Sequence, residues 1–242
     1  MNFDAVTERI RSSTHLDFGS IFNRAIELFK KVWLQGFVTL LLTFVVILPF
    51  YVLFYIPFIA AGITDPEMMR TEELPPEVFI PMLILGPILM IAAMTISIAL
   101  NAAFLRICRQ KDLNENSRED YFFYLKKGYL GKSMTLALLV FGISILGMLA
   151  CGVGLIYVMV PISIIPAFLA FDEELSPMEI VKAGFALGNK NWLVIFGLVF
   201  LMGILAELGI LLCCVGILFT AMLSKIPAYF IYKDSIGISF NA

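Results

Sequence analysis

Long uncharged runs separated by short charged clusters organise this chain. From Leu34 to Thr64, and again from Val78 to Leu105, no residue carries a charge. Each run supplies the ~20 apolar residues with which a helix crosses a ~30 Å hydrocarbon core. The next run, Ser133 to Phe171, holds 39 uncharged residues, too many for one crossing. Its midpoint falls at Gly152 within Cys151-Gly152-Val153-Gly154, so the pattern predicts a helical hairpin closed by a glycine turn. A second hairpin is predicted over Asn191 to Tyr232, 42 residues in which only Glu207 and Lys225 are charged, with Cys213-Cys214-Val215-Gly216 near its centre. The pattern therefore predicts six membrane-spanning helices.

An amphipathic segment precedes each of three steps into the membrane. In the first, Phe18, Ile21, Phe22, Ala25, Ile26, Phe29 and Trp33 recur at helical spacing, with Asn23, Arg24, Glu27, Lys30 and Lys31 on the other side and Asp17 or Ser20 placed to cap. In the second, Ser117 followed by Asp120 resembles a capping box, and Phe122, Leu125 and Tyr129 lie opposite Lys126 and Lys127. The third has Ser176 as N-cap, Pro177 at the first helical position and Glu179 at the capping-box position. The three exits align as Lys31-Val32-Trp33-Leu34, Lys127-Gly128-Tyr129-Leu130 and Lys190-Asn191-Trp192-Leu193. Such a pattern suits an interface, where an ammonium reaches lipid phosphates and an aromatic ring sits at headgroup depth. The expected lipid-interface anchors are Lys30, Lys31, Trp33, Lys126, Lys127, Tyr129, Lys190 and Trp192.

These segments suggest a threefold parallel repeat within a single integral membrane domain, 1–242, whose units cover 17–105, 117–171 and 176–233. Both hairpins also end alike, in Ile165-Pro166-Ala167-Phe168 and Ile226-Pro227-Ala228-Tyr229. Unequal spacing counts against repetition, since 96 residues separate Trp33 from Tyr129 and 63 separate Tyr129 from Trp192.

Composition supports the membrane reading. Hydrophobic residues make up 60% of the 242, charged residues only 15%, and mean hydropathy is +0.94. That leaves too little polar surface to coat a soluble globule, so lipid is the expected solvent. Net charge is −2, but 16 of the 17 Lys and Arg residues fall on one side of the predicted spans and Arg70 alone on the other. The positive-inside rule then places both termini in the cytoplasm. Residues 1–31 are polar and mixed in charge, with no cleavable leader apparent. The expected fold class is an all-α polytopic membrane protein of six transmembrane helices and three cytoplasmic-side amphipathic helices.

Two stretches carry a resemblance. Arg24-Ala25-Ile26-Glu27-Leu28-Phe29-Lys30-Lys31, and Ser176-Pro177-Met178-Glu179-Ile180-Val181-Lys182 through Gly188-Asn189-Lys190-Asn191-Trp192, resemble the membrane domain fused to some bacterial glycerophosphodiester phosphodiesterases and its stand-alone relatives. The resemblance implies a bacterial inner-membrane protein. Phosphodiesterase chemistry in that family resides in a separate soluble domain, so no enzymatic activity carries over.

Candidate chemistry is sparse. There is no Walker loop, GxGxxG, HExxH or GxSxG, and a single histidine, His15, leaves most acid–base schemes without their usual participant. Cys108, Cys151, Cys213 and Cys214 form neither CxxC nor metal-ligand spacing and read as small lipid-compatible residues; a bond from Cys151 to Cys213 or Cys214 is the sharper alternative. The acidic loop from Asp65 to Glu77 lacks calcium-loop spacing and reads as solvated, and Asp172-Glu173-Glu174 reads as a linker. Glu207 and Lys225 form the candidate intramembrane pair. A turn centred between Cys214 and Val215 offsets them by three residues, roughly 4.5 Å. An ion pair, snorkelling to opposite surfaces and a proton or substrate relay all remain open for them.

The expected function is that of a non-enzymatic inner-membrane scaffold, accessory subunit or lipid-organising module without cofactor. Its expected partners are membrane phospholipids, another membrane protein or a second copy, and no nucleic acid. The alternative is a small transporter or lipid-translocating protein with a site near Glu207 and Lys225.

Overall fold

The computed structural model describes residues 1–62, 75–115, 117–150, 152–211 and 216–237, and its regular structure is helical throughout. Phe3–Ser12 (α1) is a short amphipathic helix not proposed above; the Asn2 side chain accepts from the Ala5 amide at its start, and Val6 and Ile10 form its buried face. Phe18–Ala60 (α2) runs unbroken for 43 residues from an Asp17 cap. At 1.5 Å per residue it is ~64 Å long, twice the thickness of a hydrocarbon core. The first predicted amphipathic segment and the first span are thus one rod, because no proline precedes Pro49 to interrupt it. Ile21, Ala25, Leu28, Val32, Gly36 and Thr39 form its buried stripe.

Pro76–Asp112 (α3), 37 residues long, packs against α2. At Gly36 an added Cβ would lie 3.6 Å from the Phe104 ring of α3 and only 3.1 Å from Met222 Cβ, which comes from near the end of the chain. Lys127–Leu149 (α4) and Val153–Phe171 (α5) form the first hairpin at its predicted turn. Gly152 sits there at φ +76°, a left-handed conformation that side chains disfavour. The helices touch at once: a Cβ on Gly154 would stand 2.6 Å from the Gly147 carbonyl oxygen.

The second predicted amphipathic segment is not a helix. Residues 117–120 carry no regular structure, Ser117 caps nothing, and only Phe123–Leu125 winds into a 3-10 turn. The reason lies in the run Tyr121-Phe122-Phe123-Tyr124, which gives a helix no polar side. Instead Tyr124 is buried, donating to the Ala170 carbonyl at 2.9 Å while its own carbonyl accepts from Ser133 Oγ at 3.2 Å.

The third segment folds as expected. Pro177–Lys190 (α6) begins with a complete capping box, Ser176 N–H to Glu179 Oε2 at 2.8 Å and Glu179 N–H to Ser176 Oγ at 3.4 Å. It does not merely lie at a surface, however. It runs back along α5, with Gly188 so close to Pro161 that a Cβ would meet the proline Cα at 3.0 Å. Asn189 accepts from the Tyr157 hydroxyl further along the same contact.

Trp192–Glu207 (α7) continues through a 3-10 turn, Leu208–Leu211. The last apolar stretch is broken into Gly216–Thr220 (α8), a 3-10 stretch Ala221–Lys225 and Pro227–Ile236 (α9). Pro227 has no N–H for the Leu223 carbonyl and its ring crowds that turn, so Ile226 N–H takes the carbonyl instead at 3.3 Å. The matching Pro166 lies inside an uninterrupted α5, so the two similar strings have different structures. Five helices, α2, α3, α4, α5 and α7 with its extension to Ile210, are long and apolar enough to cross a membrane.

The core gathers where α1, the first half of α2, the end of α3, α5, α6 and α9 meet, around Ile21, Phe104, Ile165, Phe168, Ile180 and Tyr229. Elsewhere apolar side chains face outward: Leu83, Leu146 and Leu193 are 65, 67 and 77% exposed. One end is packed on itself, and the rest presents an apolar surface that water would not favour.

Candidate functional site

The last turns of α3 put Arg106, Arg109 and Gln110 at i, i+3 and i+4, on one helix face. The linker after α5 sets Asp172, Glu173 and Glu174 opposite them. Together with Glu115, Arg118, Tyr124, Tyr232 and the amino terminus, these residues line a polar cleft of about 560 Å³.

Most of its members are held in place from within. The Arg106 guanidinium stacks on the Phe123 ring, 3.9 Å from the centroid, and its buried Nη1 has no hydrogen-bond partner among the described residues. Arg109 donates through Nε and Nη2 to Glu115 Oε1, each at 3.2 Å. Gln110 is 5% exposed, and its Oε1 also has no partner among the described residues. On the facing wall Asp172 is 2% exposed and accepts from the Tyr232 hydroxyl at 2.5 Å. Burial raises its carboxyl pKa, and the Tyr232 hydrogen bond only partly offsets that. Burial raises the Tyr124 phenol as well. Lys132 donates to the Asp172 and Glu173 carbonyls at 3.3 and 2.9 Å, closing the end of α5. The Met1 ammonium lies 2.7 Å from Glu174. Arg118 stands exposed at the rim, and among the described residues it forms no ion pair.

A second polar network ties the same end together. Asp112 accepts from Lys233 at 2.6 Å and from the Tyr229 hydroxyl at 2.7 Å, joining α3 to α9. Arg24 pairs with Asp234 and stacks over Phe230 at 4.8 Å, joining α2 to α9. Glu119 accepts from Lys111, Gln35 and Tyr121; burial pushes its carboxyl up, but these bonds outweigh it and hold the pKa below its ordinary value.

The sequence-predicted residues fare unequally. Lys31 and Lys127 are exposed, Lys30 pairs with Glu27 at 2.6 Å, and Lys126 pairs with Asp120. Trp33 is half exposed beside Phe219, and Tyr129 packs on Phe123, 4.9 Å between centroids. Lys190 is no outward anchor. Its ammonium donates to the carbonyls of Ile10, Arg11 and Ser13 at 2.6, 3.0 and 2.5 Å and to Ser13 Oγ at 3.0 Å, capping the end of α1. Trp192 also turns inward, donating to the Tyr157 carbonyl at 3.2 Å and stacking on Phe196 at 4.9 Å.

Glu207 and Lys225 are not brought together. Thr220 Oγ1 donates to the Ala206 carbonyl at 2.5 Å and Gly209 abuts Gly216, so residues 206 and 220 lie level, three residues off the expected register. This register places Lys225 about six residues, or ~9 Å, from the level of Glu207. Both side chains are exposed, and Glu207 lines an apolar groove with Met159, Phe200 and Ile204. Cys151, Cys213, Cys214 and most of the Asp65–Glu77 loop lie outside the described residues, while Cys108 is buried and free. No group of three or more metal-ligating side chains occurs among the described residues.

The polar cleft is not evident in the sequence, where its arginines read as topological charge and its acids as a linker; the one available signal is the i, i+3, i+4 spacing of Arg106, Arg109 and Gln110 at a predicted span's end. Five long apolar helices and an outward apolar surface define the class, an all-helical multi-pass membrane protein. No family model, curated protein or solved structure matches the chain.

Proposed function

We propose that this protein is a non-enzymatic scaffold of a bacterial inner membrane, organising phospholipids or an accessory partner around its helices. The observation behind this reading is the contrast between a self-packed polar end and helices whose apolar side chains point outward. Lipid is the solvent that suits such a surface. In this reading Gly216–Ile236 completes a sixth span as a bent helix, both termini face the cytoplasm, and Lys31, Lys127, Trp33 and Tyr129 meet the headgroups. The three proposed units share their Lys-x-aromatic-Leu exits; the segments before the first and third are helical, and the one before the second is not. For the transporter alternative, Glu207 lines a groove on its own, without Lys225 beside it.

Native mass spectrometry of the full chain released from a mild detergent tests the reading. Stoichiometric phospholipid or a second protein is the expected result, and a bare, lipid-free monomer overturns it.

A further inference from the structure

Apart from Glu115, which pairs with Arg109, the charges around the polar cleft are segregated. Arg106, Arg109 and Arg118 come from the end of α3 and the loop that follows it, whereas Asp172, Glu173 and Glu174 come from the linker after α5. A ligand of one sign would gain on one wall and lose on the other, so the arrangement favours a molecule with a charge of each sign at its two ends. We infer that the cleft binds a zwitterion that carries a phosphate and a primary ammonium, the chemistry of a phosphoethanolamine group.

Three observations support this assignment. First, guanidinium forks match phosphate oxygens in geometry and charge, and Arg118 stands exposed at the rim, without an ion-pair partner among the described residues. Second, two buried atoms on cleft-lining residues lack partners among the described residues, and they are complementary: Arg106 Nη1 needs an acceptor and Gln110 Oε1 needs a donor. Both atoms are shut off from solvent, so a ligand reaches them only as the two side chains turn into the cleft, where a phosphate oxygen serves one and an ammonium N–H the other. Third, on the acidic wall Glu174 is 72% exposed and open to an ammonium, and on the other wall the partly exposed Arg109–Glu115 pair is exchangeable. A volume of about 560 Å³ lies within the range of small-molecule sites.

A phosphoethanolamine group can arrive as a lipid headgroup or as a free molecule, and binding of either does not depend on the scaffold reading. The test is the unfolding midpoint of the full chain in detergent, titrated separately with phosphoethanolamine, dihexanoyl phosphatidylethanolamine, inorganic phosphate and ethanolamine. At least one zwitterion is expected to raise the midpoint saturably, with inorganic phosphate and ethanolamine each at least tenfold weaker. Tenfold tighter binding of the short-chain lipid assigns the site to a headgroup, and the reverse assigns it to a soluble ligand. Arg118→Gln and Glu173→Gln, both at exposed positions, are expected to weaken binding at least tenfold each while leaving the unliganded midpoint unchanged. Inorganic phosphate acting as strongly as the zwitterions, no saturable response to either zwitterion, or full binding by both variants would overturn the assignment.

Discussion

Around the Lys190 ammonium stand four oxygens belonging to the last turn of α1 and the residue that follows it. A helix end leaves carbonyls unsatisfied and carries partial negative charge, so a cation there answers both needs. Sequence spacing marked Lys190 as a lipid anchor because the Lys-x-Trp-Leu string is the same whether the lysine points outward or inward; its partner lies about 180 residues away. Lys190→Met keeps the apolar stem and removes the charge, which should cost about 1–3 kcal/mol. Limited trypsinolysis checks this: cutting after Arg9 and Arg11 should accelerate selectively, and an unchanged pattern would show that α1 is held by other contacts. Asp172 gives a pH prediction. Its carboxyl is raised above 3.8, so the folded state holds the proton more tightly than the unfolded chain does. This contribution to stability is present in acid and is lost as pH rises from 3.8 through the folded-state value. Asp172→Asn keeps an acceptor for Tyr232 and removes the ionisation. The unfolding midpoint should rise by about 2–4 °C at pH 7 and the gain should fade toward pH 4; an equal gain at both pH values would refute the assignment.

Helix boundaries were legible where backbone chemistry is local. Ser176 and Glu179 specify a start through their own hydrogen bonds, and Gly152 marks a turn because few other residues tolerate its φ. The kind of helix was not legible. Over Gly216–Ile236 the apolar pattern is continuous, and hydropathy does not distinguish an α-helix from a 3-10 stretch tightened ahead of Pro227. Nor did the Tyr121–Tyr124 run announce that one of its rings would be drawn into the core. Two predictions belong to this scale. Ser176→Ala removes one half of the α6 capping box and should cost about 1 kcal/mol in thermal unfolding. Gly154→Ala should cost more, about 1–3 kcal/mol, because the atom it meets is the Gly147 backbone carbonyl and cannot swing aside. A stability equal to that of the parent protein would mean that the hairpin opens readily at its turn.

Counting charge and length located the apolar runs of the whole molecule, but it could not divide each helix between membrane and packed end. At ~64 Å, α2 serves both zones, and only tertiary contacts reveal that Ile21 to Val32 belong to the core. The polar cleft was illegible for a related reason: its walls come from separate segments whose charges also satisfy a topology rule. That topology is testable in a variant with Cys108, Cys151, Cys213 and Cys214 replaced by Ala. An impermeant maleimide added to intact cells should label Ala61→Cys and spare Ser12→Cys until the membrane is opened; the opposite pattern would invert the proposed orientation. The cap on α1 also sets an order in time. At about 5–20 residues per second, the ribosome makes Lys190 roughly 10–40 s after it has made α1. Throughout that interval α1 has no lysine to close it, so its last turn is secured only after the chain has been extended through α6.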